Sequence, residues 1–581
     1  MVSAMTPPLA GERPGARSAL GLALLGSAAL VLVWHSLRYN FVTDDAYISF
    51  VYARNLAEHG ELVFNLGQYV EGYTNFSWTV LLSGLLALGI PPELSSRVLG
   101  TACGVAALGV AFLLTERALR RGSPWAGVPP LLLSLSSGFA CWSSGGLETQ
   151  LFTLLCLAAL HRLACAVGAP PPRQARAFGA LGLLVALAAL TRPEGLLLGA
   201  ALAAATVAWL IRGARGPAGG RAPGAARGLQ LAALAAATFL AVWAPWFAWR
   251  LWYYGWPLPN TYYVKAHGPW QPPALAAEMW RNGGYYLLTW LRQTGLLFAG
   301  PVALWGLLAT ARDHALEEVR DEARLLTLTM TGFAAAYLLY AASVGGDFMG
   351  LHRFILPVFP IAAIGVGLGL RALGLRALGG TRAVSAARAG GRWLGLALVA
   401  GVVLAFAAQQ RALTERSVRW GNFGADHGID TPAFLKVYTD DRAAIGRALA
   451  GCLAPGDFSI VGGAGAQPYF ARMRAIDVFG LVSEEVAHRE PRIRARAGHT
   501  KFASDALLAE LDPTFVFSCY ALHRELPAPR LPCAAPWTAR GFEQVTLRVP
   551  ELRQSGTYYT FLAKRSRAFR CPGAVTDASA P

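Results

Sequence analysis

"TNFSWTVLLSGLLALGIPPELSSR", from Thr74 to Arg97, decides how this 581-residue chain is threaded. Its apolar part, 76–88, is short, follows polar Thr74 and Asn75, and stops before Pro91 and Pro92. A crossing helix needs about 20 apolar residues, so this one is expected to lie along the membrane. The basic residues check that choice. With 76–88 kept on one side, Arg13 and Arg17, Arg117, Arg120 and Arg121, Arg173 and Arg176 fall on the inner side. So do Arg212, Arg215, Arg221 and Arg227, then Arg312, Arg320 and Arg324, then Arg376, Arg382, Arg388 and Arg392. Short cytoplasmic loops collect such residues, and a crossing at 76–88 would scatter them over both faces.

The composition agrees: 54% hydrophobic, 15% charged and a mean hydropathy of +0.40 lie outside the soluble globular range. The 51 Lys and Arg against 34 Asp and Glu do not indicate nucleic acid, because they sit in clusters between apolar runs instead of forming one stripe. About eleven spans are expected, at 18–37, 94–116, 125–141, 149–166, 178–191, 194–211, 228–248, 291–311, 325–343, 354–372 and 393–411. The first follows Arg13 and Arg17 as a signal peptide would, but with no small-residue cleavage site it reads as a retained anchor.

The expected architecture is therefore a polytopic α-helical membrane domain, 1–412, with juxtamembrane helices at 45–59 and 76–88, and a soluble α/β domain, 413–581. Span parity puts the N-terminus in the cytoplasm and the C-terminal domain outside the membrane. In that domain "DFSIVGG", "PTFVFSCY", "EQVTLRV" and "TYYTFLA" read as strands. Cys452, Cys519, Cys533 and Cys571 allow one or two disulfides whose pairing is open. Cys103, Cys141, Cys156 and Cys165 fall in or beside spans, as packed thiols. No zinc spacing occurs, and "GGAGAQPYF" from Gly462 reads as a turn, lacking the terminal Lys and Ser or Thr of a phosphate loop.

The outer face collects Asp44, Asp45, Arg54, Glu58, Glu71, Glu148, Arg192, Glu194, Lys265, Asp347, His352 and Arg353. Ionisable groups at one face of otherwise apolar spans point to a shared polar cavity. One of the adjacent carboxylates, Asp44 or Asp45, suits a general base that deprotonates a sugar hydroxyl. Its neighbour would bind a metal ion, hold the acceptor or raise the base's pKa. The same pair also suits the start of an amphipathic helix in "DDAYISFVYARNLAEHG". Lys265, after two tyrosines in "NTYYVKA", and Arg353 suit a lipid-borne phosphate at headgroup level; snorkelling cations are the plainer reading. Arg192 and Glu194 in "TRPEG" also suit a pair across a helix start.

These residues resemble those of the polytopic lipid-linked-sugar glycosyltransferases of the GT-C superfamily, particularly the mycobacterial terminal arabinofuranosyltransferase family. The matching pieces, in order, are "DDAYI" at 44, "LVFNLGQYVEGYTNFSW" at 62, "SGGLET" at 144, "TRPEG" at 191, "YYGWPLPNTYYVKA" at 253, "GGDFMGLHRFILP" at 345 and "IDVFGLVSEEVAH" at 476. His352 stands where the family pattern has a small residue.

The resemblance implies an inverting transfer from a polyprenyl-phosphate sugar to a glycan or lipid acceptor outside the bacterial cytoplasmic membrane, and favours a pentofuranose such as arabinofuranose as that sugar. Asp44 and Asp45 would supply the base, and one of them a ligand for a divalent cation if one is used. Lys265, Arg353 and His352 would meet the donor phosphate. Glu71, Tyr73, Glu148, Arg192, Glu194, Asn260, Tyr263 and Asp347 would line the cavity or meet the acceptor. A transporter or flippase of a lipid-linked saccharide is the alternative; it would show related halves, broken helices or ionisable groups at mid-membrane. A scaffold presenting the C-terminal domain leaves the gathered charges unexplained.

Overall fold

Ser18 Oγ accepts the Gly21 N–H and starts α1 (Ala19–Tyr39), which ends at left-handed Asn40. The computed structural model describes residues 17–119, 122–215, 224–265, 272–312, 317–377, 385–419, 429–554 and 556–575. Two short helices follow α1. The first, α2 (Asp44–His59), carries both acids in its first turn and stops at Gly60, whose φ of 74° is the left-handed cap. The second is α3 (Phe76–Ala87), too short to cross, as its length predicts.

The chain continues through α4 (Pro92–Ala118), α5 (Val128–Leu135), α6 (Ser137–Ser144), α7 (Thr149–Val167), α8 (Pro171–Thr191), α9 (Gly195–Arg215) and α10 (Ala225–Tyr254). After α11 (Asn260–Lys265) come α12 (Pro273–Gln293), α13 (Leu296–Arg312), α14 (Glu317–Ser343), a 3₁₀ segment (Gly350–Val358), α15 (Phe359–Ala377) and α16 (Ser385–Val418). Among the described residues eight helices are long and apolar enough to cross a membrane, or nine if α12 and α13, bent by 87°, make one crossing.

That count differs from the expected eleven for local reasons. The stretch 125–141 is not one helix: Ser136, with extended backbone, ends α5 and caps α6 through the Phe139 N–H. The stretch 291–311 falls on the bend and α13. The stretch 393–411 lies inside the 34-residue α16, about 50 Å long at 1.5 Å per residue. The chain is a multi-pass membrane protein.

The basic helix ends meet at one end of the bundle. Arg17 before α1 pairs with Glu116 of α4 at 3.4 Å, and Arg117 pairs with Glu322 of α14 at 3.4 Å. Arg13, Arg120, Arg121, Arg221 and Arg382 lie outside the described residues.

The opposite end carries the C-terminal domain. It opens with α17 (Pro432–Leu449) and holds a six-stranded sheet. The strands are β1 (Ser459–Val461), β2 (Ala475–Asp477), β3 (Phe515–His523), β4 (Phe542–Arg548), β5 (Tyr558–Lys564) and β6 (Ala574–Val575), in the order β2-β1-β3-β5-β4-β6. The strands β2, β1 and β3 are parallel, the rest antiparallel. Four of the six match stretches expected as strands; β2 and β6, three and two residues long, were not among those expected.

Both sheet faces are covered. Phe515, Phe517 and Phe561 face one apolar cluster, whereas Val516 and Leu562 face another, the alternation of a pleated sheet. The first cluster also contains Ile48, Tyr52, Leu62, Phe64 and Tyr73, so the segment between α1 and α3 shares a core with the C-terminal sheet. Two disulfides, Cys452–Cys571 and Cys519–Cys533, tie this domain. Cys103, Cys141, Cys156 and Cys165 are free thiols within the helical part.

Candidate functional site

The helix α2 lies between the bundle and the C-terminal domain, packed on α3 and on α17 and α18 (Ala466–Ala471). Its first turn separates the adjacent acids. Asp44 is buried and its Oδ1 accepts the Ala466 N–H at 2.8 Å, at the end of the glycine turn 462–465. A Cβ on Gly465 would overlap Asp44, so that turn is shaped to receive it. Burial pushes the Asp44 carboxyl up to about 6, against the lowering effects of the Ala466 amide and Arg442.

Asp45 instead lines a cavity of about 260 Å³ between α2, residues 72–75, the 192–194 turn, α11 and residues 346–354. Its carboxylate makes no hydrogen bond or ion pair among the described residues. Burial raises its pKa, while Lys265 and Arg353 act in the opposite direction. Lys265, on the last turn of α11, also lines the cavity without an ion pair among the described residues.

The remaining cavity charges are clamped. Arg192 Nη1 donates to Glu148 Oε1 at 3.2 Å and its Nε to Glu194 Oε2 at 3.1 Å, and its guanidinium lies over Phe152 and Phe354. Asn75 Nδ2 donates to the other oxygen of Glu148 at 2.9 Å, and Ser49 Oγ, one turn beyond Asp45, donates to Asn75 Oδ1 at 3.1 Å. Arg353 Nε donates to Asp347 Oδ2 at 3.2 Å. Leu351 and His352, both at φ 57°, precede it in a left-handed conformation rare for such residues, which turns the chain and leaves Arg353 facing the cavity.

Of the residues singled out in the sequence, Asp45, Tyr73, Glu148, Arg192, Glu194, Lys265, Asp347 and Arg353 share this cavity. Arg54 and Glu58 do not line it: they meet the Tyr469 carbonyl and Arg472 of the C-terminal domain, and the rest also lie outside the lining. Glu71 forms a buried pair with Arg250, Nε donating to Oε1 at 2.9 Å, and burial pushes its carboxyl up to about 7. Asn260 Nδ2 donates to the carbonyls of Gly480, Leu481 and Ser483, fastening α11 to the C-terminal domain. Tyr263 stands against Trp256 and His488, and His352 hydrogen-bonds Thr289 at 3.0 Å and packs on Tyr286. The C-terminal domain adds Leu481 and Gly498 to the lining.

Sequence reasoning missed Asn75, Ser49 and Arg250. Arg250 offered a signal, a charge within the aromatic run "PWFAWRLWYY" at the end of an apolar span. Asn75 and Ser49 offered none, because their importance lies in a partner on another element.

No three His, Cys, Asp or Glu side chains among the described residues form a group fit to hold a metal ion. The adjacent acids do not make a chelating pair either, since Asp44 is committed to the Ala466 amide.

A family model described as a domain of unknown function, DUF8728, matches residues 435–562, from α17 to β5. No curated protein matches the sequence. Among solved structures, ArnT from Cupriavidus metallidurans bound to undecaprenyl phosphate is similar with a TM-score of 0.55 at 16% identity, over 94% of this chain and 98% of that one. An Archaeoglobus fulgidus oligosaccharyltransferase tethered to an acceptor peptide gives 0.47 at 12% identity over 86% and 69%. The arabinosyltransferase EmbB from Mycobacterium smegmatis gives 0.32 at 16% identity over 76% and 45%. The similarity to ArnT is one of fold along nearly the whole chain.

Proposed function

We propose that this protein is an inverting glycosyltransferase that moves a sugar from a polyprenyl-phosphate donor to a cell-envelope glycan or other acceptor. The observation that carries the reading is the carboxylate of Asp45, without hydrogen bond or ion pair among the described residues, sharing a cavity with Lys265 and Arg353. In the proposed step Asp45 accepts the proton of the acceptor hydroxyl as its oxygen attacks the anomeric carbon. The bond from that carbon to the phosphate oxygen breaks, and Lys265 and Arg353 stabilise the departing polyprenyl phosphate. Arg192, fixed by Glu148 and Glu194, shapes the opposite wall.

The undecaprenyl phosphate in the ArnT structure supports a donor of this chemistry. The resemblance in sequence favours a pentofuranose such as arabinofuranose as the sugar. Basic helix ends opposite the C-terminal domain, together with two disulfides inside that domain, support reaction on the extracytoplasmic side of a bacterial cytoplasmic membrane.

The test is transfer of radiolabelled sugar from a panel of polyprenyl-phosphate pentoses and hexoses by the purified full-length protein. Transfer should occur from one donor and disappear in Asp45→Asn, and undecaprenyl phosphate should bind more weakly to Lys265→Ala. Equal activity in Asp45→Asn, or undiminished lipid binding in Lys265→Ala, defeats the assignment.

A further inference from the structure

A second cavity, of about 490 Å³, lies between α12 and residues 493–497 of the C-terminal domain. Its volume falls within the roughly 300–1,000 Å³ of small-ligand sites. The segment Gly345-Gly346-Asp347-Phe348 separates it from the first. Gly346 lines only the first cavity, Gly345 and Phe348 only the second, and Asp347 lines both. The partition is one strand of backbone thick.

The second cavity has a different chemistry from the first. Glu278 and Arg494 make no ion pair among the described residues, and Arg494 lies over Phe502 at 5.0 Å. Asn282 spends its amide N–H on the Ala495 carbonyl, which leaves its oxygen as an acceptor facing the site. Phe348 offers an aromatic face, under the Arg496 guanidinium at 5.9 Å. Separate donors and acceptors beside an aromatic face recognise the hydroxyls and C–H face of a sugar.

The two cavities are also linked by charge. Arg496 pairs with Asp430 at 3.2 Å, and the carboxylates of Asp347 and Asp45 both act on Asp430. Asp347, which lines both cavities, is the residue they share.

We propose that the second cavity is a saccharide-binding site, built jointly by α12 and the C-terminal domain, that holds the acceptor chain with its reactive end directed past Asp347. Its role as the acceptor site rests on the transferase reading above; its capacity to bind a saccharide does not. The two are tested separately with the full-length protein in detergent. Saturation-transfer NMR measures binding of α-linked arabinofuranosyl, mannosyl and glucosyl trisaccharides, and a parallel titration measures undecaprenyl phosphate. Ala497→Trp fills the cavity, and Glu278→Gln combined with Arg494→Ala removes its two charges outside ion pairs among the described residues.

At least one trisaccharide should bind the unaltered protein, and both variants should weaken it tenfold or more with undecaprenyl phosphate affinity unchanged. In transfer, the acceptor KM should rise while the donor KM stays constant. The proposal is overturned if no trisaccharide binds the unaltered protein, or if the variants bind it as well as the unaltered protein does. Should Ala497→Trp lose lipid binding as well, it has misfolded, and the Glu278→Gln, Arg494→Ala variant decides by the same criterion. Failure of Lys265→Ala to weaken lipid binding would remove the donor reading and leave the trisaccharide result standing.

Discussion

Asp44 and Asp45, consecutive in the first turn of α2, have carboxylates in two separate environments. The first accepts an amide of the C-terminal domain, and the second lines the cavity with no hydrogen bond or ion pair among the described residues. Both lie in the first turn of α2, as the helix-start reading expects, and of the two Asp45 is the one that lines the cavity.

Exchanging each acid for its amide should therefore give unequal results. Asp45→Asn keeps the shape and removes the base, so kcat should fall by about 10²–10⁴ with donor affinity retained. Asp44→Asn keeps an oxygen for the Ala466 N–H and should transfer sugar at close to the original rate. Side-by-side initial rates check this, and an inactive Asp44→Asn beside an active Asp45→Asn would reverse the assignment.

Asp44 also sets a pH dependence of stability. Its folded-state pKa, about 6, is raised above the ordinary 3.8, so its stabilising contribution is complete below about pH 3.8 and is lost as pH rises through 6. Thermal melting between pH 4 and 7.5 should show a flatter profile for Asp44→Asn than for the unaltered protein, with no loss of stability at pH 7.5. A lower melting temperature for the variant at pH 7.5 would mean that the ionised form is the one the fold favours.

The Arg250–Glu71 pair is buried on both sides, with Arg250 Nη1 also donating to the Pro257 carbonyl at 2.8 Å. Arg250→Ala leaves a buried carboxylate unpaired and should cost about 3–5 kcal/mol. Adding Glu71→Gln should recover part of that loss. Denaturation of the two variants measures the difference, and equal stabilities would argue that the pair is not coupled.

Two neighbouring glycines should respond differently to a methyl group. Gly345 and Gly346 both have positive φ, 82° and 77°. A Cβ on Gly345 has its nearest neighbour at 3.7 Å, whereas one on Gly346 would stand 2.5 Å from the Tyr286 ring. Gly345→Ala should cost about 1–2 kcal/mol, the backbone share alone. Gly346→Ala should cost distinctly more and disturb the partition between the cavities, visible as lost undecaprenyl phosphate binding.

The two disulfides should also differ. Cys452–Cys571 joins residues 119 apart and Cys519–Cys533 residues 14 apart. Chain-entropy reasoning gives about 3 kcal/mol for a short loop and nearly 5 for a long one. Paired Cys→Ser replacement should lower the melting temperature more for Cys452 and Cys571.

What could be read from the sequence was whatever repeats locally or follows a global rule. The length of 76–88 and the distribution of arginines gave the threading, and the acids after α1 gave the cavity's end of the bundle. What could not be read depends on distant partners. The choice between Asp44 and Asp45 turns on Ala466, 422 positions away. Glu148 is held by Asn75 and Arg192 on separate elements. The continuity of two expected spans could not be read: Ser136 interrupts 125–141, and a bend of 87° follows Gln293. Cysteine pairing follows from the sheet, whose order the sequence does not state.

Asn260 grips three carbonyls of a single loop of the C-terminal chain, at Gly480, Leu481 and Ser483, while five residues later the same helix delivers Lys265 to the cavity. A cation lining the cavity is thus registered by backbone carbonyls of the C-terminal domain. Chimaeras between relatives would have to inherit residues 255–265 and 476–500 from the same parent, and those two stretches should drift together over evolutionary time.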